Sequence, residues 1–164
     1  MRKLDSNGLM VAKYQATIFE RSVDECECSS PYFLKRYLKG EVLFELETRD
    51  QELLSFDVND AMSKIKAEFG NLKYGTKKYS KDVMFWIGYF YAYVCYTREC
   101  PLRIVYSLIN PQTLADLYYV YHTQSEEWCI SRILEDAKET EDIFDKNKRL
   151  KKRFETLYKS RIAY

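Results

Sequence analysis

The sequence predicts an all-α fold: a single-domain multi-helix bundle around a central aromatic helix at about 81–98, with a long charged C-terminal helix. Three observations lead there. The stretch SKDVMFWIGYFYAYVCYTR, Ser80 to Arg98, is apolar on nearly every helical face, so other elements must cover it on nearly every side. Elsewhere apolar residues recur at helical spacing between start and stop signals. Only 5 Gly and 3 Pro among 164 residues leave little turn chemistry for a many-stranded sandwich or barrel.

A first helix is expected from Gly8 to Asp24, after Asn7-Gly8, with Leu9, Ala12, Ala16, Phe19 and Val23 on its inner face. Ser30-Pro31 sets the next start, with Ser as N-cap and Pro at the first helical position. The helix that follows turns Phe33, Leu34, Tyr37 and Leu38 inward before Gly40 ends it. EVLFELE, within Glu41 to Leu54, alternates like a strand but has no evident partner, so a short helix or turn is preferred. Asp57 then caps a helix carrying Val58, Ala61, Met62, Ile65 and Phe69, with Gly70 as its stop. Asn71 to Tyr79 is a basic, solvated connector.

On a projection of the aromatic helix, Tyr89, Tyr93 and Tyr96 share one face, Trp86, Phe90 and Val94 a second, and Met84, Ile87 and Tyr91 a third. The helix is expected to break at Cys100-Pro101, because the residue before proline avoids helical dihedrals. A short helix covers Leu102 to Leu108. Asn110-Pro111 starts another through Leu114, Leu117, Tyr118 and Tyr121, closed by His122-Thr123. Ser125 caps a long helix through Trp128, Ile130, Ile133, Leu134 and Ala137.

Charge is mostly acidic from Glu135 to Asp145 and mostly basic from Lys146 to Arg161. In a helix Asp142 faces Lys146, and Asp145 faces Lys148 and Arg149, which reads as a solvated, self-paired face. Phe154, Leu157 and Tyr158 indicate that part of this tail docks. Without a repeat or low-complexity tract, one domain is expected over 1–164, with its core at about 8–140 and a charged helix or arm at about 141–164.

Several function classes lose support from composition. Lys plus Arg (26) nearly cancels Asp plus Glu (25), so no net field draws the molecule onto nucleic acid or an anionic membrane. No apolar run reaches the length of a membrane span, and MRKLDSNG lacks the apolar core of an export signal. Five cysteines, an odd number, point with this to a reducing cytoplasmic setting. Cys26-x-Cys28 has the wrong spacing for a zinc pair and only one His exists, so neither metal nor cofactor is expected.

No nucleophile elbow, phosphate loop or metal-protease helix pattern is present. KYGTKK has glycine and lysines without the phosphate-loop spacing. His122 falls at a helix end, where an imidazole caps and meets the negative dipole end favourably. Carboxylates lie on amphipathic faces with nothing to select a pair. No catalytic residue is assigned, and an enzyme using His122 with a neighbouring Tyr ranks last of three readings. The stronger signal is the mixture of Tyr, 15 in all, with Arg around the aromatic helix, since these side chains dominate the energetic centres of interfaces. The candidate partner-binding residues are Tyr89, Tyr93, Tyr96, Arg98, Arg103, Tyr118, Tyr121 and His122.

SSPYFLKRYLKG, YGTKKYSKDVMFWIGYFYAYVCYTREC and RIVYSLINPQTLADLYYVYHT, in that order, resemble a family of small bacterial proteins encoded beside toxins similar to ADP-ribosyltransferases and labelled as their antitoxins. The resemblance spans about Val11 to Leu134. Its most specific piece is W-I-G-Y-x-Y-x-Y, then Y-T and later Tyr-His-Thr: Trp86, Ile87, Gly88, Tyr89, Tyr91, Tyr93, Tyr96, Thr97, Tyr121, His122 and Thr123. Ala92 stands where relatives carry Arg, Val94 where they carry Trp, and Cys100-Pro101-Leu102 and Gln124-Ser125 replace their usual stretches.

The resemblance implies a non-enzymatic antitoxin that binds and occludes a cognate, ADP-ribosyltransferase-like protein toxin. A Tyr-lined groove at the end of the aromatic helix would bury an apolar segment, with Arg98 and Arg103 pairing with partner carboxylates. The alternative is a nucleic-acid-binding regulator using Lys146 to Arg161 and Lys73, Lys77 and Lys78 on phosphates.

Overall fold

The computed structural model describes residues 2–49, 54–135, 144–146, 148–149 and 152, and among these the regular secondary structure is helical. Helix α1 (Ser6–Glu25) starts two residues before the expected Gly8, because the Asp5 carboxylate accepts from the Gly8 amide at 2.9 Å and caps it. Its inner face is also rotated from the expected one. Val11, Ala12, Gln15, Ala16, Ile18 and Phe19 are buried, whereas Leu9 is exposed and Val23 half-buried. Small residues of both helices stand where α1 meets the aromatic helix: Gly8 against the Tyr96 ring, and Gly88 against Ala16.

Helix α2 (Ser30–Tyr37) is capped one residue earlier than expected, by Ser29. The Ser30 hydroxyl is thereby free to accept from the Tyr79 amide at 2.9 Å. EVLFELE forms helix α3 (Glu41–Thr48). Burial shows why the alternation misleads: Val42 and Leu43 are both buried and Phe44 faces solvent, a helical and not a strand pattern. Helix α4 (Val58–Ile65), capped by Asp57, continues into a π-helical turn at Lys66–Gly70.

The connector 71–79 is mostly exposed, as expected, but it is tied down more than a solvated loop would be. Ser29 and Ser30 donate their amides to the Tyr74 and Lys77 carbonyls at 2.8 and 2.9 Å, and the Lys78 ammonium donates to the Cys26 carbonyl at 2.6 Å.

Helix α5 (Lys81–Arg98), capped by Ser80, buries Met84, Ile87, Phe90, Tyr91 and Val94. It packs most extensively against α1 and also against α6 (Leu102–Leu108), α7 (Pro111–Tyr121) and α8 (Glu126–Glu135). The helix ends at Arg98, where Glu99 adopts left-handed dihedrals (φ 53°), just ahead of Cys100-Pro101. Glu47 of α3 accepts from the Leu102 amide at 2.7 Å and caps α6 from a distance. Asn110 caps α7 as expected, and the Ser125 hydroxyl accepts from the Trp128 amide at the start of α8. Trp128 itself is 43% exposed.

Most of the expected charged C-terminal helix lies outside the described residues, as do Ala137, Asp142, Phe154, Leu157 and Tyr158. Its described part docks on the end of α5. Phe144 is buried with the Arg98 guanidinium 5.6 Å from its ring, and Lys148 reaches Glu99 at 2.7 Å.

Candidate protein-interaction surface

Helix α7 is buried on one side through Pro111 and Leu114, yet it ends in the apolar run Tyr118-Tyr119-Val120-Tyr121. A one-sided helix must leave part of such a run in water. Tyr119 is 78% exposed and Val120 65%, and Trp128 stands exposed on the next helix. Tyr118 and Tyr121 form the half-buried base. Tyr118 lies edge-on to Trp86 of α5 at 5.9 Å, and Tyr121 edge-on to Trp128 at 5.4 Å. Cys129 donates its thiol to the Tyr121 carbonyl at 3.3 Å, tying α8 to the end of α7. His122 closes α7, its ring stacked on Tyr118 at 4.6 Å and Nδ1 2.8 Å from the Tyr118 carbonyl oxygen. The result is an aromatic ledge on the corner between α7 and α8.

Tyr89 and Tyr93 of α5 run toward the same corner, their rings 6.5 Å apart. Burial raises the Tyr89 phenol first, and the Glu126 carboxylate adds to it. Tyr93 is pushed up to about 12 by burial and then by Glu127 beside it. Burial likewise raises Tyr118, with Asp82 reinforcing the shift. These phenols stay protonated at neutral pH and offer hydroxyl donors.

The remaining sequence candidates go elsewhere. Tyr96, expected on the same face, is buried one turn further along α5, against the start of α1. Its hydroxyl donates to Asp5 at 2.6 Å and its ring lies under the Arg2 guanidinium at 4.1 Å. A methyl built on Gly8 would fall 2.5 Å from that ring, so Tyr96 is locked against α1. Arg98 is engaged with Phe144. Arg103 is exposed on α6. The structure therefore gathers Tyr89, Tyr93, Tyr118, Tyr121 and His122 at one corner and sets Tyr96 and Arg98 apart from it in internal contacts. Sequence reasoning missed Tyr119, Val120 and Trp128 as the exposed part. The four-residue apolar run ending α7 was the available signal.

A concavity of about 100 Å³ lies between α3 and α4, bordered by Tyr14, Glu45, Arg49, Phe56, Asp60 and Lys64. It is well below the size of a drug-like or cofactor pocket. The Lys64 ammonium is already placed 2.8 Å from Glu45, 3.6 Å from Glu41 and 3.7 Å from Asp60. Among the described residues no three His, Cys, Asp or Glu side chains converge as a metal site, and no helix is long and apolar enough to cross a membrane. Comparison of the chain with protein-family models, with curated proteins and with solved structures finds no match.

Proposed function

We propose that the chain is a non-enzymatic protein-interaction module, the antitoxin of a bacterial toxin–antitoxin pair, which binds a cognate toxin in the cytoplasm and occludes it. The observation that carries this reading is the aromatic ledge: Tyr119, Val120 and Trp128 keep large apolar surfaces in water at one corner. Grouped exposed rings over a packed aromatic base suit an interface anchor, because Tyr and Trp bring large contact area with few rotatable bonds. The toxin assignment rests on the resemblance carried by Trp86 to Tyr93 and Tyr121-His122-Thr123. In this reading α5 is the central rod that sets the ledge. Arg103 is available as a supplementary contact, whereas Tyr96 and Arg98 act in the fold.

The test is co-expression with the toxin encoded beside the chain. Wild-type protein should restore growth. The Tyr119→Ala, Trp128→Ala double variant should lose rescue while its circular-dichroism melt stays within a few degrees of wild type, since truncating interface anchors of this type costs about 2 kcal/mol or more of binding each. Full rescue by the double variant at equal protein level would overturn the ledge as the binding surface.

A further inference from the structure

The rim of the ledge is acidic. Glu126 and Glu127 occupy the first turn of α8, Asp82 the first turn of α5, and Asp116 the exposed side of α7. Their carboxylates are felt by the side chains at the corner and beside it: Glu126 by the Tyr89 ring and the Cys129 thiol, Glu127 by Tyr93, Asp82 by Tyr118 and Asp116 by Tyr79. Three described cations on neighbouring segments have partners of their own, while Arg103 stands exposed on α6. Lys77 donates to Gln112 and lies by the Tyr79 ring, Lys81 pairs with Asp24, and Arg132 pairs with Glu135.

We propose that the ledge receives a cationic protein segment, one that sets Arg or Lys beside an apolar anchor. This rests on the interaction-module reading and specifies its partner. The apolar anchor would cover Val120 and the Tyr119 and Trp128 rings. The cation would sit over an exposed ring face, where the quadrupole attracts it, and within reach of Glu126, Glu127 or Asp82. Complementary charge of this kind chiefly sets partner choice and encounter rate. The same rim disfavours the other occupants. A second copy would bring like charges together, and nucleic acid or an anionic membrane would meet carboxylates in place of counter-charge. The sign is the reverse of the arrangement expected from sequence, in which Arg98 and Arg103 would seek carboxylates on the partner.

A random dodecapeptide phage library panned on the immobilised full chain tests this directly. Enriched peptides should carry net positive charge and at least one aromatic or large aliphatic residue. Synthetic versions should bind Glu126→Gln and Asp82→Asn about two- to fivefold more weakly than wild type. They should lose at least tenfold on the Tyr119→Ala, Trp128→Ala variant. Enrichment of acidic or uncharged sequences, basic peptides bound equally by the double variant, or no enrichment over background would each overturn the proposal. Growth rescue without basic enrichment would remove the cationic segment and leave the antitoxin reading. Basic enrichment without rescue would do the opposite.

Discussion

Gln15 of α1 donates its side-chain amide to the Gly88 carbonyl of α5 across 3.0 Å, and the two residues meet where the helices come closest. The Gln15 side-chain carbonyl in turn accepts from the Tyr37 hydroxyl of α2 at 3.5 Å. One buried amide thus links three helices through groups that would otherwise lie unsatisfied away from water. The close approach holds α5 at a fixed height on α1, and with it the Trp86 and Tyr89 rings on either side of Gly88 in sequence.

Gly88→Ala should destabilise the fold. The added methyl would fall 2.8 Å from the Ala16 Cα and 3.0 Å from both the Gln15 carbonyl oxygen and the Phe19 ring. Backbone cannot swing aside, and Phe19 is itself buried. Better helix propensity returns about 1 kcal/mol, whereas overpacking against backbone belongs at the upper end of the usual range, about 2–3 kcal/mol, so the net loss is about 1–2 kcal/mol. Urea denaturation at constant slope reads it directly. An unchanged midpoint would mean that the helices separate easily.

Gln15→Ala should cost about 2–4 kcal/mol, combining a cavity with a buried Tyr37 hydroxyl that loses its acceptor. Tyr37→Phe alone should cost less, because the remaining amide keeps its bond to Gly88. Combining the two changes should be less than additive, since the phenol stranded by the first is absent in the double variant. Strict additivity in a denaturation cycle would show that the 3.5 Å contact carries no energy.

The Asp5 cap gives α1 an acid dependence of defined sign. Asp5 is lowered to about 2, first by the Tyr96 hydroxyl, then by the Gly8 amide. A depressed carboxylate contributes stability above its unfolded value, near 3.8, and the contribution disappears as pH falls through about 2. Tyr96→Phe removes the largest cause, so the contribution should be smaller and its loss complete at a higher pH. An NMR titration of the Gly8 amide should show its midpoint moving up in the variant. A midpoint that stays put would mean that the amide alone holds the carboxylate down.

What was legible in the sequence followed from chemistry local to the chain. Ser80, Asn110 and Asp57 each sit within three residues of the amides that they cap, so a short window reveals them. The cap of α6 was invisible for the opposite reason, since Glu47 is 55 residues from Leu102. Periodicity found the helices but mis-set the inner face of α1, because Gln15 and Gly8 read as neutral until the rings opposite are known. The candidate site was partly legible. The tyrosines were identifiable by type, yet the face shared by Tyr93 and Tyr96 does not end at a common place. Tyr96 is claimed by Asp5, 91 residues away in sequence. The apolar run ending α7 flagged Tyr119, whereas the exposure of Trp128 depends on how α8 is placed after the turn, which no local window contains.

Glu99 should separate backbone strain from docking of the C-terminal segment. Its left-handed dihedrals (φ 53°, ψ 46°) are disfavoured for a residue with a Cβ. Glu99→Gly relieves that cost and should raise global stability by about 1 kcal/mol. The same change deletes the carboxylate that meets Lys148 at 2.7 Å and keeps the Phe144 contact with Arg98. Hydrogen exchange in that segment should therefore quicken while the thermal midpoint of the whole domain rises. High salt should quicken exchange in the wild type and have little effect in the variant, because an exposed pair is screened. If the midpoint and the protection of this segment rose together, the Glu99–Lys148 contact would have no part in seating it.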